Sequence, residues 1–249
     1  MTSGSRVSVE LVPRSRSGLR REIAQVAEHL PSVDTINVPE FLRYSTRSWE
    51  GAAFARPRFR GIPHVRAIDL NPREPLPMCG PLVAHGMDEL LVVSGDPPAD
   101  MSHRVYNVDA EQAIRRVARE LPHVRVYAGL DPYRQSFARE RDYLERKLEA
   151  GAVGFFSQPF FDLRLMDAYA DLIPDGVEMW WGATSVLSEG SYTYWESRNH
   201  AVFPRAFRPT LEWNRQFAAD LLQFARDRGH HAYFMPIKTD VVEYLGGIL

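Results

Sequence analysis

The chain predicts an α/β fold, a single (β/α)8 TIM barrel spanning residues 1–249, on three observations. Short β-branched or aromatic runs recur eight times, amphipathic helical stripes lie between them, and 249 residues give roughly 31 per strand–helix unit, as a closed eight-unit barrel uses. Alternation of this kind demands crossover connections and hence a parallel sheet; an open doubly wound sheet is the other architecture it permits.

Taken in order, the first strand is read over residues 7–12, where Val-Ser-Val-Glu-Leu-Val sets one carboxylate, Glu10, among apolar neighbours. Leu19, Ile23, Val26 and Leu30 then draw a helical stripe. Strands follow over residues 33–38, 63–68 and 89–94, the last containing the continuous apolar run Leu90-Leu91-Val92-Val93 of a strand buried on both faces. Ala110, Ile114, Val117 and Leu121 mark the next helix, opened by an Asp109-x-x-Gln112 capping box. A fifth strand at residues 124–129 leads to the stripe Phe137, Leu144 and Leu148, stopped by Gly151 in a left-handed conformation. Strands six and seven are read at residues 153–158 and 177–182. The stretch 184–210 has no clear period and is dense in aromatics, including Tyr192, Tyr194, Trp195, Phe203 and Phe207; these either pack the segment onto the barrel wall or fold it over the mouth. Phe217, Leu221 and Phe224 form the last stripe, ended by Gly229, before the eighth strand at residues 231–235. No linker, charge block or low-complexity run divides the chain.

Composition narrows the function classes. With 30 Lys plus Arg against 32 Asp plus Glu the net charge is −2, which gives no electrostatic footprint for nucleic acid. The lone Cys79 forms no intrachain disulfide and no thiolate metal half-site, which fits a reducing, cytoplasmic compartment. The first 16 residues are too polar for a signal peptide, and no apolar run approaches the ~20 residues of a membrane helix. The histidines lack ligand spacing, so no metal site is assigned; dinucleotide and Walker glycine motifs and a Gly-x-Ser-x-Gly elbow are missing too.

In such a barrel chemistry sits at the C-terminal ends of strands, so polar residues ending apolar runs are the candidates. They are Glu10 on the first strand, Asn37 after the second, His64 and Asp69 on the third, Asp96 after the fourth, Asp131 after the fifth and Gln158 ending the sixth. Glu10 either pairs with a nearby arginine or sits desolvated with a raised pKa, as a general acid requires. Ser94-Gly95-Asp96-Pro97-Pro98 reverses sharply after its strand: Gly95 lets a ligand approach the backbone and Asp96 projects over the barrel top, unless the aspartate merely closes a turn. Gln158 lies among aromatics, where its amide can donate and accept side by side to a heterocycle edge or cap the next helix.

These pieces together resemble the methylenetetrahydrofolate reductase family, over nearly the whole chain. Val7-Ser8-Val9-Glu10 is similar to the family's Ser-Phe-Glu-Phe, Pro63-His64-Val65-Arg66-Ala67-Ile68-Asp69 to its Pro-His-Leu-Thr-Cys-Ile-Asp, and Gly95-Asp96 to its Gly-Asp. Arg146-Lys147-Leu148-Glu149-Ala150-Gly151-Ala152 and Ser157-Gln158-Pro159-Phe160-Phe161-Asp162 resemble its Arg-Lys-x-x-Ala-Gly-Ala and Thr-Gln-Phe-Phe-Phe-Asp. The resemblance implies reduction of 5,10-methylenetetrahydrofolate to 5-methyltetrahydrofolate, with Glu10 as general acid and Asp96 tuning charge beside the pterin. It further implies that Gln158, Asp96, His64 and Phe160 hold the substrate, and that His64, Gly95, Asn37 and Lys147 hold the cofactor.

The chain departs from the family where FAD is held. The family's Arg before Gly-Asp is Ser94, and its Tyr, His and Asn further on fall at about Gly129, Tyr133 and Tyr143. Loss of that arginine removes a charge-assisted contact worth ~1.5–3 kcal/mol. The expectation is therefore NADH or NADPH as direct hydride donor with no bound FAD. An FAD-dependent reductase of the same substrate and a non-catalytic folate-binding subunit are the alternatives. Arg14, Arg16, Arg20 and Arg21 either meet the glutamate tail of folate or form a solvated helix start.

Overall fold

A computed structural model of the chain describes residues 4–98 and 102–249; the N-terminal stretch read for targeting is thus described from Gly4 onward. Eight parallel strands close on themselves in sequence order: β1 (Val7–Glu10), β2 (Thr35–Val38), β3 (Arg60–Arg66), β4 (Glu89–Val93), β5 (Arg125–Leu130), β6 (Ala152–Pro159), β7 (Glu178–Thr184) and β8 (His231–Met235). Around them lie α1 (Arg16–His29), α2 (Ser48–Ala55), α3 (Cys79–Ala84), α4 (Ala110–Glu120), α5 (Phe137–Glu149), α6 (Leu163–Ala170), α7 (Glu189–Asn199), α8 (Leu211–Asp227) and α9 (Val241–Leu245). The chain is a single (β/α)8 barrel, and β1 pairing with β8 through Val7↔Ala232 and Val9↔Phe234 closes it.

The predicted caps and stops are present. Asp109 accepts from the backbone N–H of Gln112 at 2.8 Å while Gln112 accepts from that of Asp109 at 3.2 Å. Gly151 and Gly229 take φ of +112° and +66°. Boundaries differ for identifiable reasons. β1 ends at Glu10, two residues early, because Pro13 has no N–H to carry the ladder on. β3 begins at Arg60, before the apolar run, and its end is replaced by a 3-10 turn, Ala67–Asp69, so Asp69 lies on that turn and not on the strand. The stretch 184–210 is not irregular throughout: α7 occupies its centre, capped by Ser188 accepting from the backbone N–H of Ser191.

Period-2 alternation divides the apolar residues into two cores. Val9, Ile36, Val65, Val92, Ala128, Phe155 and Trp181 face outward and pack against the helices. Ile62, Leu91, Tyr127, Phe156, Trp180 and Tyr233 face inward and fill the barrel, with Phe156 and Trp180 stacked at 4.7 Å. Below this layer, at the N-terminal end, the interior turns polar. Arg6 holds Glu89 through two nitrogens at 2.6 and 2.9 Å, and Tyr127 Oη bridges Glu89 and Glu178 at 2.9 and 2.7 Å. Arg125 pairs with Glu178. This floor consumes its own charges and leaves the opposite, C-terminal mouth as the open end. Among the described residues no helix is long and apolar enough to cross a membrane, and no group of three or more His, Cys, Asp or Glu is placed to hold a metal ion.

Candidate functional site

Above the aromatic layer a cavity of about 530 Å³ opens at the C-terminal ends of the strands. Glu10, His64, Gly95, Asp96, Lys147 and Gln158 all line it, so six residues singled out in the sequence converge from β1, β3, the loop after β4, α5 and β6. Two do not reach it. Asn37 is fully buried behind His64, and Phe160 lies outside the barrel wall against Tyr169 and Trp181 at centroid distances of 5.7 and 5.5 Å. Asp131 also lines the cavity, whereas Asp69 stands behind Arg66, 3.2 Å from its Nε.

Glu10 stands at the mouth of the barrel and lines the cavity. It ends β1 pointing inward, its side chain only 15% exposed, and no arginine pairs with it among the described residues. Burial pushes its carboxyl up to about 7, against the opposing effect of Tyr233, whose hydroxyl donates to Oε2 and favours the ionised form. Of the two readings of this residue, the ion pair with an arginine is not seen among the described residues. His64 Nδ1 lies 3.9 Å from the same oxygen, and burial holds this imidazole down to about 3, so it is neutral wherever Glu10 titrates.

The remaining wall is more polar and more exposed. Asp96 projects over the mouth with its side chain 86% exposed and 3.2 Å from Arg134. Gly95, at φ +81°, turns the chain tightly over Arg66; a Cβ there would sit 2.8 Å from Arg66 Nε. Arg66 in turn donates to the Asp96 carbonyl at 2.7 Å. Lys147 enters from α5, donating to the Gly129 carbonyl at 2.6 Å, 4.0 Å from buried Glu140 and 3.6 Å over the ring of Tyr143. Its burial pulls the ammonium down to about 8. Tyr143 lies beside Ser94, and Tyr133 donates to the Pro159 carbonyl at 2.9 Å. Tyr133 is thus anchored to the end of β6.

The aromatic segment does both things its composition suggested. Trp195 on α7 reaches the cavity wall, while Phe203 and Phe207 pack against Phe161, tilted and edge-on, at 4.3 and 6.0 Å. The arginine cluster divides: Arg16 lies 3.5 Å from Glu50 and Arg20 covers the ring of Phe54, whereas Arg14 and Arg21 line a second cavity of about 510 Å³ that shares Glu10 with the first. Three residues at the mouth escaped sequence reading. Tyr233 looked like an ordinary strand aromatic, although the spacing of His231, Tyr233 and Met235 marks one inward face. Glu40, bound by Arg47 at 2.6 Å, stands on an irregular loop, and Glu140 on a helix face reads as solvent-exposed.

Comparison with known proteins places the fold. No family model matches the chain, and no curated protein matches it in sequence. Among solved structures it is similar to a protein from Clostridium thermocellum that binds two copies of 5-methyl-5,6,7,8-tetrahydrofolic acid, with TM-score 0.65, 11% identity, and 98% of this chain and 94% of that chain covered. It is also similar to oxaloacetate acetylhydrolase, with TM-score 0.61, 8% identity, and 94% and 76% of the two chains covered. At these identities the likeness is one of fold.

Proposed function

We propose that the chain binds a reduced folate at the mouth of its barrel and reduces 5,10-methylenetetrahydrofolate to 5-methyltetrahydrofolate with NADH or NADPH. The observation that carries this reading is Glu10: a carboxylic acid poised to titrate at about pH 7, with no Lys or Arg paired to it among the described residues, facing a cavity at the C-terminal end of the barrel strands. The family resemblance of the surrounding motifs and the folate bound by a protein of similar fold support the choice of substrate.

The reaction asks for a proton and then a hydride. Protonation of a ring nitrogen opens the five-membered ring and leaves an iminium carbon on the substrate. Glu10 delivers that proton, and the carboxylate it becomes, screened from water, stabilises the cation beside it. Tyr233 and His64 hold the carboxylate in place without competing for the proton, the first as a hydrogen-bond donor and the second as a neutral ring. Gln158, at the end of β6, offers its amide to the pterin edge, and the inward ring of Phe156 lies beneath it. Asp96 is too exposed to dominate the electrostatics of the cation; at the rim it orders Arg134. A nicotinamide, when bound, supplies the hydride, and Arg66 and Arg134 are the cavity arginines able to meet its phosphates. The fit to FAD is poorer: the ring of Tyr143 covers Lys147, the lysine matching one of the family's cofactor contacts.

The test is a stopped assay for 5-methyltetrahydrofolate with each nicotinamide, with and without added FAD. Product formed without FAD, and not increased by it, is the expected result. Dependence on FAD refutes the direct transfer, and tight folate binding with no nicotinamide oxidation makes the chain a binding subunit.

A further inference from the structure

Asn37 lines neither of the two cavities described above, yet it is one of three buried polar side chains, with Ser8 and His64, that line up across β1, β2 and β3 directly beside Glu10. We propose that Ser8, Asn37 and His64 form a hydrogen-bonded chain that fixes His64 as its Nδ1–H tautomer and directs that N–H toward Glu10, which makes Asn37 a positioning residue for the acid. The link to catalysis rests on the reading of Glu10 as proton donor; the tautomer does not.

The chain of donors runs one way. Ser8 Oγ–H donates to Asn37 Oδ1, which leaves the amide nitrogen facing the imidazole, with Asn37 Nδ2 2.9 Å from His64 Nε2. An amide nitrogen can only donate, so Nε2 accepts, and the single proton of the neutral ring resides on Nδ1. That nitrogen is the one 3.9 Å from Glu10 Oε2. The reverse arrangement, with the amide turned over, would satisfy the same buried atoms but would present the Nδ1 lone pair to a carboxylate. Ser8, whose hydroxyl donates to Oδ1, favours the first arrangement, and above about pH 7, where Glu10 is ionised, its charge decides between them. At 3.9 Å the N–H acts as an oriented dipole and not as a direct hydrogen bond. It favours the carboxylate left after proton delivery, and it adds to the hydroxyl of Tyr233 from β8. No Lys or Arg among the described residues pairs with Glu10; Glu40, Arg66, Asp96, Asp131, Arg134, Glu140 and Lys147 share its cavity, and Arg14, Arg21, Glu22, Lys238, Asp240 and Glu243 line the neighbouring one.

The experiment is a long-range 15N–1H correlation spectrum of the full chain labelled in histidine, with Glu10 followed by the 13C shift of its side-chain carboxyl across pH. Wild-type His64 should appear as the pure Nδ1–H tautomer at pH 8, where Glu10 is ionised. Asn37→Asp, which accepts at Nε2, should invert it. Asn37→Leu, which adds no charge, should give a mixture and raise the Glu10 midpoint by about half a pH unit. Should Asn37→Leu fail to fold, Ser8→Ala frees the amide with a smaller change and should give the same mixture. An Nε2–H tautomer in the wild type overturns the proposal, as does a variant that mixes the tautomers and leaves the Glu10 midpoint where it was. Absence of reductase activity alongside the expected spectra would count against the reading of Glu10 as proton donor and leave the hydrogen-bonded chain standing.

Discussion

Removing one hydroxyl, Tyr233→Phe, tests how the acid is tuned. Burial raises Glu10 and the Tyr233 hydrogen bond lowers it, and the balance stands at about 7. A hydrogen bond to a charged group contributes about 1.5–3 kcal/mol, or roughly 1–2 pH units, so the variant should hold its proton up to pH ~8–9. A general acid is active below its pKa, so the alkaline limb of the kcat/KM profile should move upward by that interval while the acid side stays in place. The same shift has a stability consequence. Glu10 titrates higher folded than its ordinary 4.5, so the stability linked to its protonated form is complete below that value and is lost as pH rises toward about 7. The loss amounts to about 3 kcal/mol for wild type, and Tyr233→Phe extends it to higher pH. Glu10→Gln removes it, and should gain on wild type between pH 5 and pH 8 by about that amount in urea unfolding. An alkaline limb that stays in place or moves down in Tyr233→Phe would refute the reasoning.

Other consequences can be checked independently. Arg6→Met leaves Glu89, 1% exposed, without its bidentate partner and should cost about 3–5 kcal/mol at pH 7 in urea unfolding monitored through Trp180, which stacks under Arg6 at 4.8 Å. Because Glu89 is held below its ordinary pKa, the native pair stabilises above about pH 4.5 and loses that contribution in acid, so the deficit should shrink at pH 4. Gly61→Ala drives a Cβ to 2.5 Å from the Ala52 carbonyl on α2; parting β3 from that helix should destabilise the barrel by about 1–3 kcal/mol in the same measurement. Gln158→Ala should weaken folate binding by about 10–100-fold in calorimetry while leaving the melting curve unchanged.

The strands were legible because each carries an uninterrupted apolar face, and all eight appear within a few residues of the expected places. What hid was structure without contrast. β3 starts in Arg60-Gly61, which lacks any apolar signal; the strand forms there because Thr35 and Ile36 supply the ladder and only glycine clears the Ala52 carbonyl. α2, with Ser48, Gly51, Ala52 and Ala55 buried, has small residues on its inner face and Trp49 and Phe54 beside them, so no stripe emerges. α7 is mostly polar and is held by Trp195 alone among its buried residues. At the site, Glu10 and Gln158 could be found because a polar residue at the end of an apolar run is anomalous in one dimension. Tyr233, Arg66 and Glu140 could not, because their meaning comes from neighbours 223, 30 and 9 residues away, at Glu10, Asp96 and Asp131.

The most direct measurement of the central claim compares wild type and Glu10→Gln in one experiment, with 5-methyltetrahydrofolate formed per minute and folate affinity determined on the same samples at pH 7. Wild type should turn over with NADH or NADPH, and the amide, which keeps the shape but carries no transferable proton, should lower kcat by about 10²–10⁴-fold with folate affinity held within about threefold. A Glu10→Gln variant that turns over like wild type would remove Glu10 from the chemistry and with it the account of this barrel as a reductase built around one buried acid.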